Sequence, residues 1–262
     1  MADFLKVERS DTALLVTMNR PDERNAISDG AACAEFEQIC CDADADPTVS
    51  AVIITGAGSA FSAGGNLKAL KERSGFASGK TPMETRNNYR ANIHRIPAAL
   101  YELDIPTIAA VNGPAIGAGF DLACMCDIRI ASETALFAES FVRLGLVSGD
   151  GGAWLLPRIV GHSRAAEMCF TGETIDAQAA LASGLVSKVV PPEQLLDEVL
   201  ALAARIAVNP VQAVRLTKRL LREGERMRLS SLLELSGAFQ ALVHETPEHQ
   251  AAIAKAADRQ IR

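Results

Sequence analysis

The chain of 262 residues lacks the features that define several large classes of protein. Its six cysteines form no C-x-x-C pair and its four histidines show no metal-binding spacing, so we expect neither a zinc site nor a dithiol redox site. No run of about 18 apolar residues occurs, and we therefore predict no membrane span. The G-x-S-x-G turn of the α/β-hydrolases is also missing.

Basic residues are also fewer than acidic residues. Lys and Arg number 26 against 32 Asp and Glu, the net charge is −6, and no long basic run occurs. This balance argues against nucleic acid or an anionic membrane as a partner. The segment Met1 to Lys6 lacks the basic and apolar parts of a signal peptide, and most cysteines lie in apolar helical sequence. We therefore expect reduced core thiols and a cytoplasmic protein.

What the chain does contain is an alternation of strands and helices. Hydrophobic residues make up 48% of it, enough for a sizeable core. We predict a helix from an N-cap at Ser28 to Ala43, and a long helix ending near Leu103 after a mobile loop at 73–82. Short apolar runs predict strands at 13–18, 49–55, 107–111, 127–131 and 186–190. The alternation predicts crossover units with a mostly parallel sheet, and mainly helix follows residue 160.

Two glycine-rich turns are the most informative feature of the sequence. They are Phe61 to Leu67 and Asn112 to Asp121, and each follows a predicted buried strand and leads into a helix. Glycine allows a ligand to approach the backbone closely, and the start of a helix leaves amide N–H groups unpaired. Two such turns side by side would direct two N–H groups at one oxygen, which is how a site stabilises a thioester carbonyl that gains negative charge.

These turns, together with other short motifs, resemble the crotonase (enoyl-CoA hydratase/isomerase) family. The motifs occur in the family's order between about residues 5 and 255, and jointly they are highly specific. They lie at 19–21 with 25–26, 61–67, 106–113, 117–119, 126–129, 144–146, 151–152, 170–172 and 184–186.

The resemblance implies an α/β fold in which repeated β-β-α units form a spiral, followed by helices that build trimers, often paired into hexamers. On this basis residues 1–195 would hold the CoA site and the oxyanion hole, and residues 196–262 would serve oligomerisation. The implied ligand is an acyl-CoA thioester, with no metal and no redox cofactor. The family's oxyanion hole falls here on the backbone N–H groups of Gly65 and Ala118.

Family hydratases use two glutamates as acid–base groups, and this chain has neither. The first position is Asp121, three residues after Ala118, so the two share a helix face; the alternative is an acid that caps the first turn. The second position is Phe141, which cannot transfer a proton. Asp150 could replace it as the base, or could merely be the N-cap of a helix starting at Gly152. Glu139 is a third candidate, on the face of Phe141 if the segment is extended.

Further residues are assigned to substrate binding by analogy with the family. Arg24 and Lys68 would meet CoA phosphates, or would be solvated surface charges. Trp154 would form the floor of the acyl pocket, or would pack in its helix. The acyl chain would contact Phe76, Met83 and Tyr89, unless these are ordinary packing residues. The remaining assignments lie in the two turns and at the second glutamate position: Ala63, Gly64, Asn66, Leu67, Gly117 and Phe141.

The function that these residues favour is hydration of 2-enoyl-CoA thioesters. A double-bond isomerase is the main alternative, because isomerisation needs only one carboxylate beside the oxyanion hole. A CoA-thioester hydrolase or carbon–carbon lyase on the same scaffold remains open. A different class, a CoA-binding protein without turnover, is suggested by Phe141 and opposed by Asp121 beside intact glycine turns.

Overall fold

The computed structural model describes residues 3–260, which contain nine strands and twelve α-helices. The strands are β1 Leu5–Ser10, β2 Ala13–Met18, β3 Ala51–Gly56, β4 Thr107–Val111, β5 Ala115–Ile116, β6 Ile128–Ser132, β7 Leu136–Ala138, β8 Thr174–Asp176 and β9 Lys188–Val190. The helices are α1 Gly30–Ala45, α2 Leu67–Lys71, α3 Pro82–Ala91, α4 Arg95–Glu102, α5 Ala118–Met125, α6 Gly152–Val160, α7 His162–Thr171, α8 Ala177–Ala182, α9 Leu195–Ala207, α10 Val211–Gly224, α11 Leu229–His244 and α12 Pro247–Gln260.

Six strands form the main sheet in the order β1-β2-β3-β4-β6-β9. Only the β1–β2 hairpin is antiparallel, and the other neighbours pair in parallel. A second sheet has the order β5-β7-β8. The predicted α/β fold with a mostly parallel sheet is confirmed. The strands that the sequence did not reveal are short or strongly polar, such as β1 with its Lys6, Glu8 and Arg9.

The main sheet is covered on both faces, which explains its continuous apolar strands. In β4, Ala109 and Val111 pack into the larger core together with α1, α4 and α5. The alternate residues Ile108 and Ala110 face the smaller core, where α9 buries Val199 and Ala203. Successive side chains of the strand point to opposite faces of the sheet, so alternate residues of β4 belong to the two different cores.

Two predicted helix boundaries are wrong. Helix α1 begins one residue later than expected, because Asp29 rather than Ser28 accepts the capping hydrogen bond, from the Ala32 N–H at 2.8 Å. The long helix before Leu103 is two helices, α3 and α4, with a break after Ala91. Pro97 accounts for the break, because its ring has no N–H and clashes with a helical carbonyl four residues earlier.

The C-terminal helices differ in how they contact the rest of the chain, and α10 is held by Lys218, which donates to Ile105 O (2.7 Å), and by the buried Arg222. Helix α9 packs on β2, β3, β4 and β6, whereas α11 contains no buried residue. The proposed boundary at residue 195 therefore remains a prediction. Within residues 3–260 no single helix has the length and apolar character to cross a membrane; one sharply bent pair, Pro192–Ala207 with Val211–Gly224, meets those two criteria jointly.

Candidate active site

The two glycine-rich turns lie against each other because the strands that precede them are parallel neighbours. Chains leaving such strands emerge at the same edge of a sheet. Ser62 forms a parallel bridge with Ala115, in which the Ser62 N–H donates to Pro114 O (3.1 Å) and the Ile116 N–H donates to Ser62 O (3.0 Å). The contact fixes the first turn relative to the start of α5.

Two glycines in these turns have backbone conformations that other residues rarely adopt. Gly64 has φ +75°, and a Cβ atom there would stand 2.3 Å from Ile116 O and 2.9 Å from Ala118 N. Gly117 has φ +53° and ψ −121°, and it immediately precedes α5. Glycine is thus required at position 64 for two reasons: the backbone has a positive φ, and the second turn leaves no room for a side chain.

The amides of Gly65 and Ala118 are the two groups that this packing brings to one cavity. Both residues line it. Ala118 is the first residue of α5, where a helical N–H has no acceptor four residues earlier. Among the hydrogen bonds of residues 3–260, neither amide has a main-chain or side-chain acceptor. Two amides without acceptors among residues 3–260 thus belong to residues of one cavity wall, and one of them begins a helix, where negative charge is favoured.

We expect Gly64→Ala to separate the two turns. The added methyl would overlap Ile116 O, so the variant should lose about 1–3 kcal/mol of unfolding free energy beyond the cost of the positive φ, and most of its activity. Gly184→Ala is the matched control, because Gly184 has φ +74° and nothing within 4 Å of its Cβ position. Urea denaturation of both variants measures the difference. Equal losses would show that the turns do not depend on close packing at Gly64.

The cavity beside these amides has a volume of about 320 Å³ and mostly apolar walls. Eight of the residues assigned from the sequence line it, and Phe76 and Tyr89, proposed for the acyl chain, also do. The eight are Ala63, Gly65, Asn66, Leu67, Gly117, Ala118, Phe141 and Asp150. Asn66 additionally caps α2, since its side-chain oxygen accepts from the N–H groups of Lys68 (2.9 Å) and Ala69 (3.2 Å).

Asp150 is the carboxyl group of this cavity. It is 4% exposed, and its side chain accepts no hydrogen bond from residues 3–260. The N-cap of α6 is Gly151, which gives no side-chain cap, so the alternative of Asp150 as a helix cap is wrong. Burial, and then the nearby Asp121, raise the pKa of Asp150 to about 7. A carboxyl group with such a pKa can both take up and release a proton near neutral pH.

Asp121 lies behind the cavity rather than on its wall. It is fully buried, and its Oδ2 accepts hydrogen bonds from the Gly152 N–H (3.1 Å) and the Ser148 Oγ–H (3.2 Å). A Cβ atom on Gly152 would stand 2.0 Å from Asp121 Oδ1, so only glycine fits there. Asp121 therefore caps α6 instead of its own helix. Its two hydrogen bonds hold the loop on both sides of Asp150.

Glu139 is the residue whose surroundings differ most from the prediction. It follows β7 and is 2% exposed, next to Asp121, whereas Phe141 begins a 3-10 turn and faces the cavity. The two side chains therefore do not share a face. Burial raises the pKa of Glu139 to about 7, while burial and then Glu139 raise the pKa of Asp121 well above its usual range.

Trp154 does not reach the acyl cavity, contrary to the expectation. It lies two residues after the buried Gly152 on α6, a rotation of about 200° that turns its side chain away from the core. Its ring packs edge-on against Tyr101 (centroids 5.4 Å apart) and lies 3.8 Å from the Arg158 guanidinium. It lines a separate cleft toward α9 and α10.

Other assigned residues also lie off the cavity wall. Met83 is 61% exposed and does not line it. Arg24 and Lys68 are exposed beside the first turn, where the Arg24 carbonyl accepts from the Ala63 N–H (2.8 Å). Gly64 contributes by packing, as described above. Conversely, the sequence reasoning missed Arg143 and Leu144 as lining residues. The family motif at 144–146 was the available signal, and the 3-10 turn Phe141–Leu144 places Phe141 and Leu144 on one side.

The pKa of Asp150 predicts a pH-dependent stability. Between pH 4 and 7 the folded chain keeps a proton that an unfolded Asp150, with a pKa of 3.8, has released. Rising pH therefore destabilises the wild-type protein relative to Asp150→Asn, by up to about 4 kcal/mol. Urea denaturation of both proteins across this range tests the expectation. A difference that does not change with pH would contradict it.

The α/β fold with two glycine-rich turns beside an apolar cavity is the crotonase fold, and the chain belongs to the enoyl-CoA hydratase/isomerase family. The family profile described as enoyl-CoA hydratase/isomerase matches residues 8–259, which confirms the family resemblance. Within residues 3–260, no group of three or more His, Cys, Asp or Glu side chains is arranged to hold a metal ion.

Individual relatives are similar over nearly the whole chain. A probable enoyl-CoA hydratase of Mycobacterium tuberculosis is 37% identical over 228 residues, 87% of this chain and 84% of the relative. The 2,3-dehydroadipyl-CoA hydratase of Escherichia coli is 34% identical over 95% of this chain and 93% of its own length. The crystal structure of a Bacillus anthracis enoyl-CoA hydratase matches with a TM-score of 0.89 at 31% identity, covering 98% of this chain and 96% of that one.

Proposed function

We propose that this protein is an enoyl-CoA hydratase that acts on 2-enoyl-CoA thioesters. The observation that carries the proposal is the arrangement at the cavity, where two amides without acceptors and the Asp150 carboxyl face the same apolar space. The hydratases among its relatives support the same activity. An acyl-CoA substrate would place its thioester oxygen on the Gly65 and Ala118 N–H groups, with the acyl chain between Phe76, Tyr89 and Phe141.

The reaction would use Asp150 twice. Its carboxylate takes a proton from water as the water oxygen bonds to C3, and the electron pair of the C2–C3 double bond moves through C2 to the thioester oxygen. The two amides stabilise that oxyanion. When the enolate collapses, C2 takes the proton back from Asp150, so that one water is added overall. Asp121 holds the loop of Asp150 in place through Gly152 and Ser148.

Double-bond isomerisation is a second candidate, favoured by a specific observation. Asp150 is the only carboxyl residue on the cavity wall among residues 3–260, and Phe141 occupies the second glutamate position of the hydratases. A single carboxylate suffices to remove a proton from C2 of a 3-enoyl thioester and return it to C4. The same two amides would stabilise the dienolate formed between these steps.

Mass spectrometry of acyl-CoA thioesters incubated with the protein in ¹⁸O-labelled water distinguishes these candidates. A hydratase adds one labelled water to a 2-enoyl-CoA. An isomerase moves the double bond, takes up deuterium from heavy water and gains no oxygen. Binding of CoA thioesters with neither change would refute both and favour the non-catalytic class.

Two further expectations concern binding and assembly. Arg24 and Lys68, exposed beside the first turn, would bind the CoA phosphates. The apolar side chains of α11 support a homotrimer or a dimer of trimers, because Leu229, Leu233 and Leu242 are 72%, 61% and 61% exposed in the single chain. Light scattering after size-exclusion chromatography measures the mass, and Leu233→Asp should reduce it to that of the monomer if α11 forms the interface.

A further inference from the structure

The region behind the cavity wall contains a second carboxyl group that the reaction described above does not use. Glu139 and Asp121 are 2% and 0% exposed, and their side chains are within hydrogen-bonding contact of each other. Asp121 Oδ1 and both carboxyl oxygens of Glu139 are buried without a donor among residues 3–260. Two ionised carboxylates only accept hydrogen bonds, so contact between them in a buried place requires a proton.

We propose that Glu139 and Asp121 share one proton, and that Glu139 is a positioning residue that acts on Asp150 through Asp121. The hydrogen bonds already present decide which oxygen of Asp121 takes part. Asp121 Oδ2 accepts from the Gly152 N–H and the Ser148 Oγ–H, and both donors favour the ionised form of Asp121. The shared proton therefore lies between Asp121 Oδ1, the oxygen that accepts no other hydrogen bond from residues 3–260, and a carboxyl oxygen of Glu139.

The consequence for the site follows from the position of those donors. Ser148 and Gly152 stand on either side of Asp150, so the loop that carries the cavity carboxyl is held by Asp121. Without Glu139 the buried Asp121 carboxyl loses its partner at Oδ1, and the loop loses its fixed acceptor. A displacement of about 1 Å at a reacting group can lower the rate by about 10².

Few other groups compete for this proton. The neighbours that titrate are Asp150 before α6, Cys124 on α5 and Cys169 on α7. Burial raises the pKa of both thiols, that of Cys169 to about 11, so both thiols stay protonated near neutral pH. Neither thiol therefore takes the proton that Glu139 and Asp121 share. The shared proton does not depend on the proposed function, whereas the effect through Asp150 rests on it.

The first test needs no substrate. Difference infrared spectra between wild type and Glu139→Gln at pH 7 should show the loss of one protonated-carboxyl band, since Asp150 contributes equally to both proteins and cancels. Absence of that band from the difference would overturn the shared proton. The result stands whichever thioester, if any, the protein turns over.

The second test compares two substitutions at the same position with the substrate that the labelled-water experiment identifies. In Glu139→Gln the side-chain amide can still form a hydrogen bond with Asp121 Oδ1, so kcat should stay within about threefold. Glu139→Leu has a similar volume and no donor, and kcat should fall roughly 10–100-fold with an unchanged KM. Both variants are first compared by urea denaturation and CoA binding.

Two results would overturn the positioning role. One is a folded Glu139→Leu protein with the wild-type kcat. The other is a folded Glu139→Gln protein as slow as Glu139→Leu, since the carboxyl itself rather than its donor would then be needed. If Glu139→Leu does not fold, Glu139→Gln decides: the positioning role predicts a kcat within about threefold of wild type, and a folded Glu139→Gln protein slowed more than about tenfold overturns it.

Discussion

Replacement of Asp150 by asparagine is expected to reduce turnover by roughly 10²–10⁴, the usual contribution of a positioned acid–base group. Asp150 is the carboxyl on the cavity wall, and its pKa of about 7 suits both removal and return of a proton. Asparagine has almost the same shape and cannot carry the proton. Steady-state kinetics with the identified thioester measures the loss, and CoA binding should persist, because Asp150→Asn leaves the amides in place.

The control is another aspartate far from the cavity. Asp197 lies exposed in the first turn of α9, and Asp197→Asn should retain the wild-type rate. If Asp150→Asn keeps activity within a few-fold while it is folded, proton transfer must use a different group. Asp121 would be the next candidate, by a movement that brings it to the cavity.

Replacement of Ala118 by proline is expected to reduce kcat by roughly 10²–10³, the effect of losing one donor to an oxyanion. A side-chain change cannot remove a backbone donor, but proline lacks the N–H. Ala118 is the first residue of α5, the helical position at which proline is best tolerated. The substitution therefore removes the donor at small cost to the helix, and kinetics with the same thioester measures the result.

Ala118→Gly is the matched control, since it removes only the methyl group and keeps the amide. Its kcat should remain within about tenfold of wild type, well above that of Ala118→Pro. Equal losses in the two variants would indicate that packing at this position, and not the N–H, determines the rate. Circular dichroism and CoA binding establish that α5 is intact in both proteins.

Much of the fold was predictable because it depends on local sequence. Short apolar runs such as 107–111 could only be buried strands, and they proved to be strands of a parallel sheet. The glycine turns were identified for the same reason, since a positive φ and a close backbone approach are requirements that glycine alone meets. The break between α3 and α4 was not predicted, because the apolar pattern continues from one helix into the next. Pro97 was the residue that indicated it.

The arrangement of the carboxyl groups could not be predicted from spacing. Sequence distance placed Asp121 near the Ala118 amide, but whether its carboxyl faces substrate depends on α6, whose Gly152 packs on it from another part of the chain. The same packing leaves Asp150 free at the cavity and encloses Glu139 next to Asp121. Trp154 was misplaced because the direction of α6 was unknown.

The sequence by itself thus determined the family, five of the six strands of the main sheet, and the two glycine-rich turns that border the cavity. Only the tertiary structure decided which carboxyl lines the cavity, which caps a helix and which is sealed behind it. The physical reason is that backbone conformation follows from neighbouring residues, whereas burial and ionisation of a side chain follow from groups that are distant in sequence.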